Sequence, residues 1–298
     1  MILLTGASGF IGKKILSQLV SVYGKNKIIA LTSKPLDTFN YLLHDNYTFN
    51  RDFFLINGYA DKIRTVIHAG AFTPKNGKEA NDITNCNSNI FSLGKILECE
   101  FLNLENIIYL STLDVYDSTV NVITENSFVS PVSLYGYSKL YGERMIIEWS
   151  NKKNKRYQIL RVGHVYGPGE EAYQKIIPIT IKKILNNETL QILGTGNEIR
   201  SFIYVDDVIQ AILKSILLVS NNNIINIVGQ QQITINQLVN ILSELGNANL
   251  NIEIIPQPNK GKDYIFDNSK MKELLLPVEL PLLQGLQNEF NYMKNITQ

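Results

Sequence analysis

The chain of 298 residues is 45% apolar and carries a formal charge of +1, so it can bury a large core in one domain or two interlocked ones. Its 28 basic and 27 acidic residues are scattered rather than clustered, which argues against a nucleic-acid surface. Cys86, Cys99 and three histidines show neither metal spacing nor a disulfide framework, and no run approaches the roughly 20 apolar residues of a membrane span; the expectation is a cytoplasmic protein with no structural metal and no membrane association.

In chain order, Met1–Leu4 reads as a buried strand, Thr5–Gly12 as a glycine turn, and Ile15, Leu16, Leu19 and Val20 fall at helical spacing. Gly6, Gly9 and Gly12, with Phe10 and Ile11 between the last two, permit a tight turn, approach of a pyrophosphate to the helix N-terminus, and close helix packing. Because the turn follows a strand directly, it fits a dinucleotide fingerprint. A second strand, Lys27–Leu31, runs into Thr32-Ser33-Lys34. An acid there would bond the ribose 2'-hydroxyl of NAD. Two hydroxyls and an ammonium suit a 2'-phosphate instead, so NADP is expected ahead of NAD.

The strand Thr65–His68 ends in Ala69-Gly70-Ala71-Phe72-Thr73, small residues that let a cofactor pass close to the backbone; His68 is expected to be structural. A helix over Asp82–Cys99 leads to the strand Ile107–Leu110, which closes in Ser111-Thr112-Leu113-Asp114-Val115-Tyr116. Hydroxyls at a strand end are placed to bond a substrate oxygen. One loop later stand Tyr135 and Lys139, four apart and therefore on one face of a helix. A phenol with a pKa near 10 is a poor acid or base at neutral pH, and a neighbouring ammonium favours its phenolate. Spacing alone is weak, since Tyr23 and Lys27 share it.

Taken together, Thr5–Gly12, His68–Ala71, Ser111-Thr112 with Val115-Tyr116, and Tyr135 with Lys139 resemble the extended short-chain dehydrogenase/reductase family of nucleotide-sugar epimerases, dehydratases and reductases. Leu160–Gly169, Gly194–Val208 and Ile225–Gly229 are similar to its later segments, so the resemblance covers the chain. It implies an α/β fold, a Rossmann-type doubly wound parallel sheet over residues 1–162, with strands near 199–205 and 224–228 returning to it. Residues 163–298 would mainly form a smaller C-terminal substrate-binding lobe. Tyr135 would exchange the proton, Lys139 would tune it and hold the nicotinamide ribose, and Thr112 would bond the same oxygen. The cofactor would lie along Gly6, Gly9, Phe10, Ile11, Gly12, Thr32, Ser33, Lys34, Ala69, Gly70, Ala71 and Val162. The substrate would meet Phe72, Thr73, Ser111, Thr112, Asp114, His164 and Arg200, the arginine gripping its diphosphate. Asn89 resembles a supporting helix asparagine, and the helices 82–99 and 135–150 would pair across a homodimer.

Three departures stand out. Leu113-Asp114 replaces the Asp-Glu pair of the family's dehydratases, His164 stands where asparagine is usual, and no aspartate for the adenine appears near Tyr47-Thr48-Phe49. Within the resemblance, the loop Thr32-Ser33-Lys34 and the missing acid pair favour NADPH-dependent reduction of a nucleotide-linked 4-keto-6-deoxyhexose, with a nucleotide-sugar 4-epimerase as the alternative and a non-catalytic dinucleotide-binding protein as the third reading.

Overall fold

The computed structural model describes residues 1–116, 122–218, 222–256 and 263–297. The first half runs β1 (Ile2–Thr5), α1 (Phe10–Tyr23), β2 (Ile28–Thr32), β3 (Tyr41–Leu43), α2 (Arg51–Ile56), β4 (Thr65–His68), α3 (Ile83–Glu98), β5 (Asn106–Thr112), α4 (Leu134–Lys153) and β6 (Arg156–Val162). The second half runs β7 (His164–Tyr166), α5 (Ile176–Leu185), β8 (Leu190–Leu193), β9 (Ile199–Tyr204), α6 (Val205–Ile216), β10 (Asn223–Ile227), β11 (Gln232–Thr234), α7 (Ile235–Leu245), β12 (Ile252–Ile255), α8 (Ser269–Leu274) and α9 (Leu282–Thr297). Met1–Val115, Ser130–Val162 and Ile209–Ile225 form one compact unit; Tyr116–Val129, Gly163–Val208 and Asn226–Gln298 form the other.

The large sheet has the order β10-β6-β5-β4-β1-β2-β3. The pairs β1 with β2, β1 with β4, β2 with β3, β4 with β5 and β5 with β6 are parallel. Strand order reverses between β1 and β4, the place where doubly wound sheets bind nucleotides. Every residue of β1 and of β5 is buried, as expected of parallel strands covered on both faces. On one side Leu3, Ile29, Val66, Ile107 and Ile159 share a core with Phe54, Leu93, Ile96 and Phe101. From α1 come Ile15, Leu16 and Leu19, all fully buried, each contributing about 2 kcal/mol. This is a Rossmann-type α/β unit, as the sequence predicts.

In the second unit β9 pairs parallel with β7 and antiparallel with β11, and β8 pairs parallel with β12. Tyr166, Ile177, Ile181, Phe202, Leu238, Leu286 and Phe290 make its core. A capping box starts α7: the Thr234 hydroxyl accepts from Gln237 N at 3.1 Å, and Gln237 Oε1 accepts from Thr234 N at 2.8 Å. Of the two later strands expected to return to the large sheet, β10 does so, whereas the strand expected at 199–205 lies in the three-stranded sheet. There β7 offers β9 a partner edge, with His164 opposite Phe202 and Tyr166 opposite Tyr204.

Tyr23 is the last residue of α1, and Gly24, at φ 85°, ends the helix before Lys27, so that pair shares no helical face. Among the described residues no helix is long and apolar enough to cross a membrane, and no group of three or more His, Cys, Asp or Glu could hold a metal ion. Cys86 and Cys99 are buried free thiols.

Candidate active site

The glycine turn is fixed by contact with the loop after β4. Gly6 has φ +71°, and a Cβ there would meet Gly70 Cα and N at 2.5 Å, so only glycine permits both the conformation and the approach. Thr5 and His68 are register partners. Thr5 Oγ1 accepts from Gly70 N at 2.9 Å and lies 3.0 Å from His68 Nδ1, which leaves the hydroxyl proton for Nδ1. Burial, then the Lys139 charge, pushes the His68 imidazole down to about 3; it is a neutral structural group. Helix α1 starts at Phe10 with Gly9 as N-cap, no side-chain cap and no acid in its first turn. Its positive end is thus not neutralised by its own side chains, the condition that favours a phosphate. These residues form a cradle that fits a dinucleotide pyrophosphate, with partly buried Ile11, Ala69, Gly70 and Ala71 along it.

At the end of β2 the three expected ribose readers divide. Thr32 is buried, donates to Lys34 O at 3.0 Å and accepts from Lys34 N at 3.2 Å, so its hydroxyl shapes the turn. Ser33 and Lys34 are exposed. Strand β3 ends at Leu43, earlier than the expected 47–49, so that His44 and the exposed Asp45 directly follow it. His44 N donates to Thr32 O at 3.0 Å, which places Asp45 one residue beyond the ladder shared with β2.

The chemistry-bearing helix is α4. Ser133 caps it, its Oγ accepting from Gly136 N at 3.1 Å. The face it buries is mostly polar: Tyr135, Ser138, Lys139, Glu143 and Ser150, with Gly136, Gly142 and Ile146. Lys139 is 2% exposed with Nζ 4.3 Å from the centre of the Tyr109 ring, a desolvated cation–π contact. Burial pulls its ammonium down to about 7, against the raising effect of Glu143. Gly142 makes this packing possible, because a Cβ there would collide with the Tyr109 hydroxyl.

Beside α4, β5 delivers Ser111 and Thr112. Thr112 Oγ1 accepts from Asp114 N at 3.2 Å, which leaves its proton to donate. Val162 stands opposite Thr112 in the β5–β6 register. Ser111, by contrast, donates to Glu143 Oε1 at 2.5 Å, so the expected substrate contact spends its proton inside the fold. Asn89 joins the remaining loop to α4: Oδ1 accepts from Phe72 N at 2.7 Å, and Nδ2 donates to Phe72 O and to Ser138 Oγ, each at 3.2 Å. Phe72 is thereby held by its backbone, and Thr73 after it is exposed. Leu113 is buried and Asp114 exposed in the turn Leu113–Val115; the acid pair of a dehydratase is not formed there.

His164 and Arg200 lie in the second unit, in a cluster of their own. The Arg200 guanidinium sits 5.0 Å from the Tyr264 ring centre and donates to Ile199 O at 2.7 Å. The His164 ring is 5.9 Å from Phe202 and 6.4 Å from Tyr264. Burial, then Arg200 and Lys175, pushes His164 down to about 4, so it is neutral at physiological pH. Asp206 and Asp207 fall in the first turn of α6, and Asp207 Oδ2 accepts from Leu280 N at 2.9 Å, a structural use.

Two further residues that sequence reasoning passed over, Glu143 and Arg161, pair beside Lys139 inside the first unit. Arg161 donates through Nε to Glu143 Oε1 at 3.0 Å and through Nη2 to Oε2 at 2.7 Å. The signals were a charge inside the apolar run Ile159-Leu160-Arg161-Val162 and a third member of the stripe Tyr135, Lys139, Glu143.

A glycine turn at the switch point that fits a dinucleotide, joined in one unit to a buried tyrosine–lysine helix, is the arrangement expected of nicotinamide-dependent enzymes. Residues 2–228 match the model of the NAD dependent epimerase/dehydratase family, and the chain belongs to that family, whose members are nucleotide-sugar enzymes. It is 30% identical to a provisionally named UDP-glucose 4-epimerase of Methanocaldococcus jannaschii, over 99% of both chains. It is 26% identical to the dTDP-4-dehydro-6-deoxyglucose reductase of Escherichia coli, over 80% of this chain and 79% of the other. Among solved structures, UDP-glucuronic acid 4-epimerase of Bacillus cereus in complex with NAD superposes with a TM-score of 0.84 at 26% identity, covering 100% of this chain and 99% of the other.

Proposed function

We propose that the protein performs oxidation and reduction at C4 of a nucleotide-linked hexose, as a 4-epimerase of a UDP-hexose or UDP-hexuronic acid that retains NAD. The observation that carries this reading is the buried Tyr135–Lys139 pair on α4, flanked by the strand-end hydroxyl of Thr112. When bound, the nicotinamide supplies hydride acceptance and return. Tyr135 takes and returns the proton of the sugar hydroxyl, Lys139 favours its phenolate and holds the nicotinamide ribose, and Thr112 donates to the same oxygen. Gly6, Gly9, Phe10, Ile11 and Gly12 hold the pyrophosphate, and Ala69, Gly70, Ala71 and Val162 line the cofactor's path. Asp45 is the acceptor for the adenine amine. Phe72, Thr73 and Asp114 bound the sugar, while Arg200 and His164 take the diphosphate and nucleotide. The full-length likeness to 4-epimerases supports epimerisation ahead of reduction.

A second reading, NADPH-dependent reduction of a nucleotide-linked 4-keto-6-deoxyhexose, is favoured by one observation: Ser33 and Lys34 are exposed where an acid would repel a 2'-phosphate. The likeness to the Escherichia coli reductase supports it too. In both readings the protein works in the cytoplasm as a homodimer. The deciding experiment offers UDP-hexoses and 4-keto-sugar nucleotides and follows both sugar and nicotinamide absorbance. Epimer formation with constant absorbance is expected, and stoichiometric loss of NADPH would decide for the reductase. Replacing Tyr135 with Phe should lower turnover by roughly 10²–10⁴-fold with cofactor affinity unchanged; full turnover would refute the catalytic assignment.

A further inference from the structure

We infer that Glu143 is a positioning residue of this site: its carboxylate, clasped by Arg161 and Ser111, is the counter-charge that keeps Lys139 an ammonium beside Tyr135. This rests on the reading of Tyr135 and Lys139 given above. Tyr135, Lys139 and Glu143 recur every four residues along α4 and form one buried stripe, at 8%, 2% and 1% exposure. A lysine so desolvated tends to shed its proton, and a neutral amine gives the neighbouring phenolate no support.

The groups around Lys139 narrow the source of compensation. The Tyr109 ring from β5 offers a quadrupole, His68 from β4 is neutral, and Tyr135 lies one turn earlier on α4. Glu143 stands one turn further along the same buried face of α4, and its carboxylate opposes the effect of burial on Lys139. A buried negative charge is itself sustained only by converging donors. Glu143 has them: two parallel bonds from Arg161 on β6, at 3.0 and 2.7 Å, and one from Ser111 at 2.5 Å. The bidentate fork fixes the carboxylate in plane and in direction. The same arrangement explains why Ser111 and Thr112, adjacent at the end of β5, have different duties. Ser111 completes the carboxylate's shell, and Thr112 alone keeps a donor for the substrate oxygen.

The test reads Lys139 directly. In protein labelled with ¹³C at lysine Cε, the Lys139 resonance is assigned by its loss in Lys139→Arg and followed against pH without substrate. Glu143→Gln should lower the Lys139 midpoint by roughly one pH unit, and the rate limb on which the phenolate forms should move to higher pH. An unmoved midpoint overturns the proposal. Because Glu143→Gln leaves the Arg161 charge buried without its partner, the double variant Glu143→Gln/Arg161→Met, which removes both charges, is measured alongside; its midpoint should also fall, and no fall overturns the proposal equally. A merely structural role would lower melting temperature and leave the midpoint in place. Failure of the underlying catalytic reading shows separately, as full turnover in Tyr135→Phe.

Discussion

A hydroxyl that closes a parallel strand can turn toward a ligand or back into the fold, and Thr32 and Ser111 both turn back. Their residue type and position were legible in the sequence; their direction was not, because it depends on partners far along the chain, Glu143 for Ser111, or on a local turn, the Thr32–Lys34 bonds. Tyr135 and Lys139 were legible because two residues on one helical face need no distant partner to be brought together. Asp45, which we propose for the adenine, was not legible because β3 is a short strand with two of its three residues exposed, so it lacks the apolar run that announces β1 or β5. With Thr32 committed to the turn, the second reading, NADPH-dependent reduction, leaves discrimination at the ribose to Ser33 and Lys34. Replacing Lys34 with Ala should weaken NADPH by about tenfold and leave NADH nearly unchanged in fluorescence titrations, an ammonium–phosphate contact being worth that much. Equal losses for both cofactors would remove the 2'-phosphate from the account and leave NAD alone.

Helix α4 shows why patterning reads some elements and misreads others. Its apolar residues do not trace the buried stripe; the site does. Ile83, Phe91, Tyr137 and Tyr141, on α3 and α4, are instead exposed at 67%, 52%, 53% and 56%. Between these two helices runs a groove of ≈ 440 Å³ lined by Ile83, Cys86, Ile90, Leu134, Tyr137 and Tyr141. An apolar strip of this kind on two neighbouring helices is the surface on which we place the second copy of the chain. Replacing Tyr141 with Glu should shift the mass in light scattering from twice 33.7 kDa to 33.7 kDa. A parent protein already at 33.7 kDa would sink the dimer. The partner of β9 was beyond sequence reasoning for a different reason: a short buried strand can join any free edge, and the edge it takes is that of β7, a strand of three residues.

At the scale of the whole molecule, stability should depend on pH through a buried carboxyl of the second unit. Glu170 is fully buried, with Lys175 Nζ 3.7 Å from its Oε2. Burial raises it to about 8, Lys175 opposing and Glu289 adding to the rise. In the unfolded chain such a carboxyl releases its proton near its ordinary value of 4.5. Between that value and 8 the folded state therefore binds more protons, so stability is fully present at the acid end and is lost as pH rises through this window. Glu170→Gln keeps the shape and removes the titration; its melting temperature should fall less between pH ~5 and ~9 and exceed the parent's at the alkaline end by on the order of 3 °C. Parallel curves for the two proteins would show that Glu170 does not govern the slope.

The interleaved course of the chain also bears on how it is made. Strand β6 is complete at Val162, but its neighbour β10 begins only at Asn223, so a ribosome must deliver residues 163–222 while that flank of the sheet stays unzipped. An open strand edge is the surface on which nascent chains stick to one another. A polypeptide stopped after Val162 makes that passing exposure permanent, and such a fragment should be recovered as aggregate.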